Sequence, residues 1–314
     1  MGKKQETSTT RQYMGIINRI SAEKIDFNDT DAVILFINQR KGKSNLPLKE
    51  TTKRNYYIAI LAMNGKVINK KGDTLQLTDA AKNIYLKINE DMHEKKLQLE
   101  NTQEMSSTMR ENWFSWNDFM DILNKETKKY VAIKEESTLQ ENMYQVQKLI
   151  LLSLYAFVPP IRLDFADLLI VPKLPNIKTW NYISTRDKKL HLYKFKTVKS
   201  VKPQTYDLRG IPSLFEYIAE LLRLRRHEDT QVELCYRRFL LLNTLKQKMS
   251  RPSLTQYLND IFNKKVSCTM LRHVYLSERF PVVKNESVAD RIALLSIMGH
   301  KTLDIQNRYI KILD

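Results

Sequence analysis

Cysteine is scarce in this chain of 314 residues, which contains only Cys235 and Cys268. Neither lies in a Cys-x-x-Cys or Cys/His spacing, so the sequence argues against a disulfide framework and against a cysteine zinc site. Cys268 is more typical of a small apolar residue in a core.

Long apolar runs are also missing. No run approaches the roughly 18 residues that a helix needs to cross a bilayer. The first residues, MGKKQETSTTRQ, lack the apolar segment of a signal peptide. No internal repeat or low-complexity tract is found. We therefore expect no membrane segment and an intracellular protein.

Acidic residues are outnumbered, with 35 Asp and Glu against 52 Lys and Arg, which gives a net charge of +17. This charge exceeds what solubility requires and indicates a polyanionic partner such as nucleic acid. A hydrophobic fraction of 42% supports a real core. The length is typical of two domains.

Helical periodicity and capping residues predict helices over residues 9–20, 30–39, 49–63 and 78–104 in the first part of the chain. Residues 105–112 are the best linker candidate, and a second domain begins at NWFSWNDF. We therefore predict a helical domain over 1–104, a linker over 105–112 and a second domain over 113–314.

One basic stretch runs from Arg40 to Lys71 and holds nine basic residues against the single acid Glu50. The alternative is a solvated basic helix, but the scarcity of acids favours contact with phosphates. The candidate DNA-binding residues here are Arg40, Lys41, Lys43, Lys49, Lys53 and Arg54.

Three polar features interrupt the helix-forming sequence of the last fifty residues. They are the pair Arg272-His273, the pair Gly299-His300 and Tyr309. Gly299 predicts a helix stop, after which residues 302–312 can form a new helix that carries the tyrosine. Arginine binds phosphate as a bidentate fork and a phenol can act as a nucleophile, so together they suit phosphodiester chemistry.

Each of these residues also has a structural interpretation. A tyrosine on an amphipathic helix usually packs, a histidine after glycine usually caps, and an arginine on a half-buried helix usually forms an ion pair. Only the combination favours a site.

The segments LRHVYLSE and LLSIMGH, followed by Tyr309, resemble the C-terminal signature of the tyrosine recombinases, the phage-integrase family. In that resemblance Arg272, His300 and Tyr309 correspond to catalytic residues. The segments NWFSW, KFKT and LRHVYLS are most similar to integrases of large DNA viruses, virophages and related mobile elements.

The resemblance also implies a first catalytic arginine at Arg162, although Pro-Pro-Ile precedes it where the family usually has glycine. The alternative is an arginine paired with Asp164 or Asp167. A catalytic lysine is implied in a β-hairpin, at Lys196 of KFKT. Its competitors Lys194 and Lys199 are retained as DNA-binding candidates, because residues 173–209 carry ten basic residues against two acids.

The fold implied is mainly α with a small β-sheet. A helical, SAM-like core-binding domain would join a tyrosine-recombinase catalytic domain in a C-shaped DNA clamp. The implied reaction is site-specific cutting and rejoining through a 3′-phosphotyrosine, with no metal, cofactor or ATP. The implied partners are double-stranded DNA and three further copies, in a tetramer on paired sites, in the host nucleus or a viral factory.

One departure concerns the residue three positions before Arg272, which is usually histidine or lysine and here is Thr269. His273, one position after Arg272, points to another helix face by spacing alone. We therefore do not assign to His273 the role of the residue that is usual at position 269. Water or His300 remains the candidate acceptor of the Tyr309 proton.

Two other functions stay open at this point. A type IB topoisomerase shares the pocket, and a non-catalytic basic DNA-binding protein shares the charge. For residues 310–314, docking on a neighbouring copy and packing on their own domain are equally favoured.

Overall fold

Side-chain caps begin two of the four helices described in the first part of the chain. In the computed structural model these are α1 (Ser8–Ala22), α2 (Thr30–Gln39), α3 (Glu50–Met63) and α4 (Asp79–Asn101). The carboxylate of Asp29 accepts the Ala32 N–H, and the Thr78 hydroxyl accepts the Ala81 N–H.

The structure describes residues 8–42, 44–69, 72–172, 179–195, 202–227, 238–283, 286–299 and 302–312. The chain divides into two compact units, Met1–Thr102 and Gln103–Asp314.

The core of the first unit comes from the inner faces of its four helices. Tyr56 and Tyr57, which lie within the basic stretch of the sequence, are buried in this core. Tyr85 is also buried, and its hydroxyl donates to the Phe27 carbonyl at 2.7 Å. The tyrosines of this basic stretch therefore pack in the core, and its Lys and Arg side chains are the candidates for contact with phosphates.

Helix α7 (Leu139–Phe157) is the centre of the second unit. Most of its length is buried on all sides, and it packs between α6 (Trp116–Ile133) and α8 (Leu214–His227). A helix that is apolar all round needs neighbours on every face. Residues 105–112, predicted as a linker, include the short helix α5 (Ser107–Asn112).

A sheet of four short strands follows a 3₁₀ turn at Leu163–Asp167. The strands are β1 (Leu169–Val171), β2 (Tyr182–Ser184), β3 (Lys189–Leu192) and β4 (Gln204–Asp207), in the order β1-β2-β3-β4. β1 and β2 are parallel and the other pairs are antiparallel. The predicted hairpin turn lies between β2 and β3.

The described part of this unit contains four further helices: α9 (Arg251–Phe262), α10 (Cys268–Val283), α11 (Val288–Ile297) and α12 (Leu303–Asn307). The fold is thus mainly α with a small β-sheet, which confirms the predicted fold class.

The apolar segment FLLLN, residues 239–243, forms only isolated bridges, one from Phe239 to Leu169. The buried guanidinium of Arg225 donates to the carbonyls of Phe239 and Leu240, at 2.6 and 3.0 Å. Those carbonyls therefore accept hydrogen bonds from a side chain instead of from a neighbouring strand.

We predict that Gly15→Ala stabilises the first unit by about 0.5–1 kcal/mol, because Gly15 lies inside α1 and an added Cβ meets nothing within 4 Å. Native-state hydrogen exchange of the buried amides of α1 and α3 measures this. The matched control is Gly65→Ala, also in open space but at φ +73°. It should destabilise by about 1–2 kcal/mol, and equal effects of the two changes would contradict the prediction.

Candidate active site

Arg272 is a fully buried arginine, with 1% of its surface exposed. Its neighbours Leu271 and Val274 belong to the core on either side, so α10 carries the guanidinium inward with them. Nη1 donates to the Pro160 carbonyl at 3.1 Å, and Nη2 donates to the Met298 carbonyl at 2.9 Å. One side chain thus joins α10 to the loop after α7 and to the end of α11.

Burial lowers the pKa of Arg272, while its hydrogen bond and electrostatic contact with Tyr309 oppose this change. Arg162 lies close enough to lower the pKa further by like-charge repulsion. Because an arginine pKa lies far above neutral, the group stays charged. The centre of the site is therefore a buried positive charge with a second arginine nearby.

Tyr309 lies directly beneath this charge. The carbon of the Arg272 guanidinium is 4.9 Å from the centre of the Tyr309 ring. Such a distance is typical of a cation–π contact. The structure therefore brings together Arg272 and Tyr309, two residues 37 positions apart that the sequence predicted for one site.

The predicted helix over 302–312 is too long, since α12 ends at Asn307 and Tyr309 lies in the turn that follows. The Tyr309 N–H donates to the Gln306 carbonyl at 2.9 Å, which is an i to i−3 bond. Beyond it, the Lys311 N–H donates to the Ser277 hydroxyl of α10 at 2.8 Å. The chain leaves the helical path because α10 supplies its hydrogen-bond partner.

His273 contacts the turn that carries Tyr309. Spacing places it on a different face of α10 from Arg272. Its Nδ1 lies 2.7 Å from the backbone carbonyl oxygen of Tyr309, and the centres of the two rings are 4.9 Å apart. Only the return of residues 309–311 along α10 creates this contact, so the Arg-His pair in the sequence could not show it.

Arg162 is half-buried at the start of the 3₁₀ turn and lines a narrow cleft of ≈ 20 Å³. Asp164, Phe195, Met298 and Gly299 also line this cleft. Such a volume holds about one water molecule. The cleft is therefore too small to enclose a phosphodiester.

The acids beside Arg162 have other ion-pair partners. Asp164 pairs with Arg251 at 3.0 Å, and Asp167 pairs with Lys248 at 2.6 Å. Burial raises the pKa of Asp164, and Arg251, then Arg162 and Arg272, oppose this. These ion pairs weaken the view that Arg162 serves to neutralise the two acids.

Gly299 ends its helix as the sequence predicted. Helix α11 stops at Ile297, and Gly299 adopts φ +67°, in the left-handed region that favours glycine. His300, Lys196, Lys199 and Lys43 lie outside the described residues. Gly299 and Phe195, which precede His300 and Lys196 in the sequence, both line the cleft.

The other predicted DNA-binding residues differ in their surroundings. Lys41 and Lys49 are exposed, whereas Lys53 pairs with Glu50 at 2.9 Å. Arg54 donates to Asn89 at 2.9 Å, and Arg40 lies 5.1 Å from the Phe36 ring centre. In the second unit, Lys194 is exposed and lies 5.5 Å from the ring centre of Trp180.

Residues 310–312 pack on their own unit. Ile310 is buried with Leu276 and Met298. The Lys311 ammonium donates to the Glu104 carbonyl at 3.1 Å, and the Ile312 N–H donates to the Gln103 carbonyl at 3.1 Å. Ile310 and Lys311 are therefore buried within one copy, whereas the Ile312 side chain is 56% exposed.

A larger cavity of ≈ 690 Å³ is lined by residues of α6, α7 and α8 and by the turn at 242–246. None of the predicted site residues lines it. Among the described residues, no group of three His, Cys, Asp or Glu side chains is arranged to hold a metal. No described helix is long and apolar enough to cross a membrane.

No protein-family model and no curated protein matches this chain. Among solved structures, the "Crystal structure of XerA recombinase" aligns with 97% of this chain and 95% of its own, at 13% sequence identity and a TM-score of 0.43. A similarity this low identifies no function.

We predict that Arg272→Met lowers the free energy of unfolding of the second unit by at least about 2 kcal/mol. The change leaves the buried carbonyls of Pro160 and Met298 without their donor, and each unsatisfied carbonyl costs about 1–3 kcal/mol of stability. Urea unfolding measures this. The matched control Arg162→Met should change stability by less than about 0.5 kcal/mol, and an equally stable Arg272→Met protein would contradict the prediction.

Proposed function

We propose that this protein is a DNA strand transferase, a recombinase of the tyrosine type that cuts and rejoins duplex DNA through a covalent tyrosyl intermediate. The observation that carries the proposal is the contact between the buried Arg272 guanidinium and the Tyr309 ring, with Arg162 close by. A nucleophile of suitable chemistry thus lies beside a buried positive charge that has a second arginine nearby, in a strongly basic chain.

In the proposed reaction, the Tyr309 oxygen attacks a backbone phosphorus and the bond from phosphorus to the 5′-oxygen breaks. The products are a 3′-phosphotyrosine and a strand that ends in a 5′-hydroxyl. The phenol loses its proton and the departing oxygen gains one, so protons balance. Attack by the 5′-hydroxyl of another strand reverses the step and needs no ATP.

The two arginines would stabilise the negative charge of the phosphate in the transition state. Arg272 has two donors committed to carbonyls, so it would act mainly as a fixed charge held in place. Arg162 lies at the cleft and can present its guanidinium to a bound phosphate.

Arg162→Met should therefore lower the cleavage rate by about 10²–10³-fold with little loss of DNA affinity.

Lys196 and His300 complete the proposal through the family resemblance. Lys196 is the proposed general acid for the departing 5′-oxygen, and His300 is a proposed hydrogen-bond donor to the phosphate. The described residues next to them, Phe195 and Gly299, share the cleft with Arg162.

The experiment that tests the function does not require knowledge of the target site. The protein is incubated with a pool of nicked duplexes of random sequence, and DNA that stays attached after denaturation is recovered and sequenced. We expect the attachment to map to Tyr309 and to disappear in Tyr309→Phe, because the phenyl ring keeps the packing and removes the nucleophile.

The control variants are Tyr275→Phe and Tyr206→Phe, which should retain the adduct. Attachment that persists in Tyr309→Phe, or that maps to either control residue, would contradict the assignment of Tyr309 as the nucleophile. Cleavage that stops on addition of EDTA would instead indicate a metal-dependent nuclease.

Exchange between two duplexes requires four cleaved strands, so we propose a tetramer of this chain on paired DNA sites. A protein that stays monomeric on DNA and relaxes supercoiled plasmid would favour the topoisomerase alternative. Retention of DNA with no adduct from any pool would favour the non-catalytic alternative.

We also predict that the double change Lys41→Gln and Lys49→Gln weakens DNA binding and reduces its salt dependence, because both ammonium groups are exposed. The slope of log K against log salt should fall by about 0.9 for each phosphate that is no longer neutralised. Fluorescence anisotropy at several salt concentrations measures this. The control Lys53→Gln, whose ammonium already pairs with Glu50, should have a smaller effect; the reverse order would refute this interface.

A further inference from the structure

The candidate nucleophile is not held by a helix. Tyr309 lies in the turn after α12, where its N–H donates to the Gln306 carbonyl in an i to i−3 bond. A phenol on such a turn depends on other contacts for its position. Position matters because a displacement of about 1 Å can cost about 10²-fold in rate.

Helix α10 supplies those contacts along one short stretch. Arg272 lies over the Tyr309 ring, His273 contacts the Tyr309 carbonyl, and Ser277 accepts the Lys311 N–H. His273 and Ser277 are four positions apart, so they lie on the same face of α10. The chain segment that carries the phenol is thus attached to α10 at Tyr309 and again two residues later, at Lys311.

We propose that His273 is a positioning residue for Tyr309, which holds the nucleophile through a hydrogen bond from Nδ1–H to the Tyr309 carbonyl. This inference rests on the proposed function and names a residue to which the family resemblance assigned no role. The distance of 2.7 Å indicates a short hydrogen bond, and the ring contact at 4.9 Å limits rotation of the phenol.

The protonation of His273 follows from its partner. A carbonyl oxygen can only accept, so Nδ1 must carry the hydrogen. Nδ1 is a donor in this neutral tautomer and also in the imidazolium ion. The hydrogen bond therefore persists whether or not His273 is protonated. A positioning role thus differs from a general-base role, which would require the neutral ring.

The test compares two substitutions of His273. Asparagine places its amide nitrogen near the position of Nδ1 and keeps a donor for the Tyr309 carbonyl. Leucine keeps much of the volume and removes the donor. Cleavage is measured as the single-turnover rate of adduct formation with a duplex recovered from the random pool, between about pH 5.5 and 9, a range that spans the ordinary histidine pKa.

We expect His273→Leu to lower this rate by about 10–100-fold with unchanged DNA affinity. His273→Asn should restore it to within about threefold, with a pH profile of the same shape as the unsubstituted protein. The control His93→Leu removes an exposed histidine of α4 and should have no effect. A normal rate in His273→Leu overturns the inference, as does loss of one limb of the pH profile in His273→Asn.

A second measurement needs no reaction and separates this inference from the proposed function. 3-Fluorotyrosine at position 309 reports its surroundings by ¹⁹F NMR in the protein without DNA. The resonance should move toward that of free fluorotyrosine in His273→Leu and return in His273→Asn. An unchanged resonance in His273→Leu overturns the inference even where the protein forms adducts. A protein that forms no adduct but shows these shifts overturns the proposed function, and with it the catalytic purpose of the contact.

Discussion

The buried guanidinium of Arg272 is the interaction on which the site depends. It donates hydrogen bonds to the carbonyls of Pro160 and Met298 and lies against the ring of Tyr309. A buried charge is costly unless several partners compensate it. Those partners come from three separate parts of the chain. The charge therefore requires the loop after α7, the end of α11 and the turn after α12 to lie around α10.

This arrangement gives two arginines different physical roles. Arg272 is enclosed, and its removal would affect stability as well as chemistry. Arg162 is half-buried at the cleft, while the neighbouring acids pair with Arg251 and Lys248. A loss of cleavage on substitution of Arg162 would thus be easier to interpret, because fewer contacts of the fold depend on it.

Some of the Lys and Arg side chains make contacts within the fold, and others are exposed on the surface. Arg225 satisfies buried carbonyls, Arg54 connects α3 with α4, and Lys53 is paired. Lys41 and Lys49 remain exposed on the first unit. A basic sequence therefore overstates the number of cations that can meet phosphates, and only the structure separates the two groups.

The sequence by itself determined the local structure: the helices of the first unit, the stop at Gly299 and the mainly α fold class follow from capping, periodicity and glycine, which act over a few residues. It also nominated Arg272 and Tyr309, through spacing and family resemblance, and the two residues are in contact. Tertiary structure alone decided that Tyr309 lies in a turn and that His273 holds its carbonyl. The reason is that the Tyr309 carbonyl and the Lys311 N–H take their hydrogen-bond partners from α10, more than thirty positions earlier, and local propensity contains no information about such a partner.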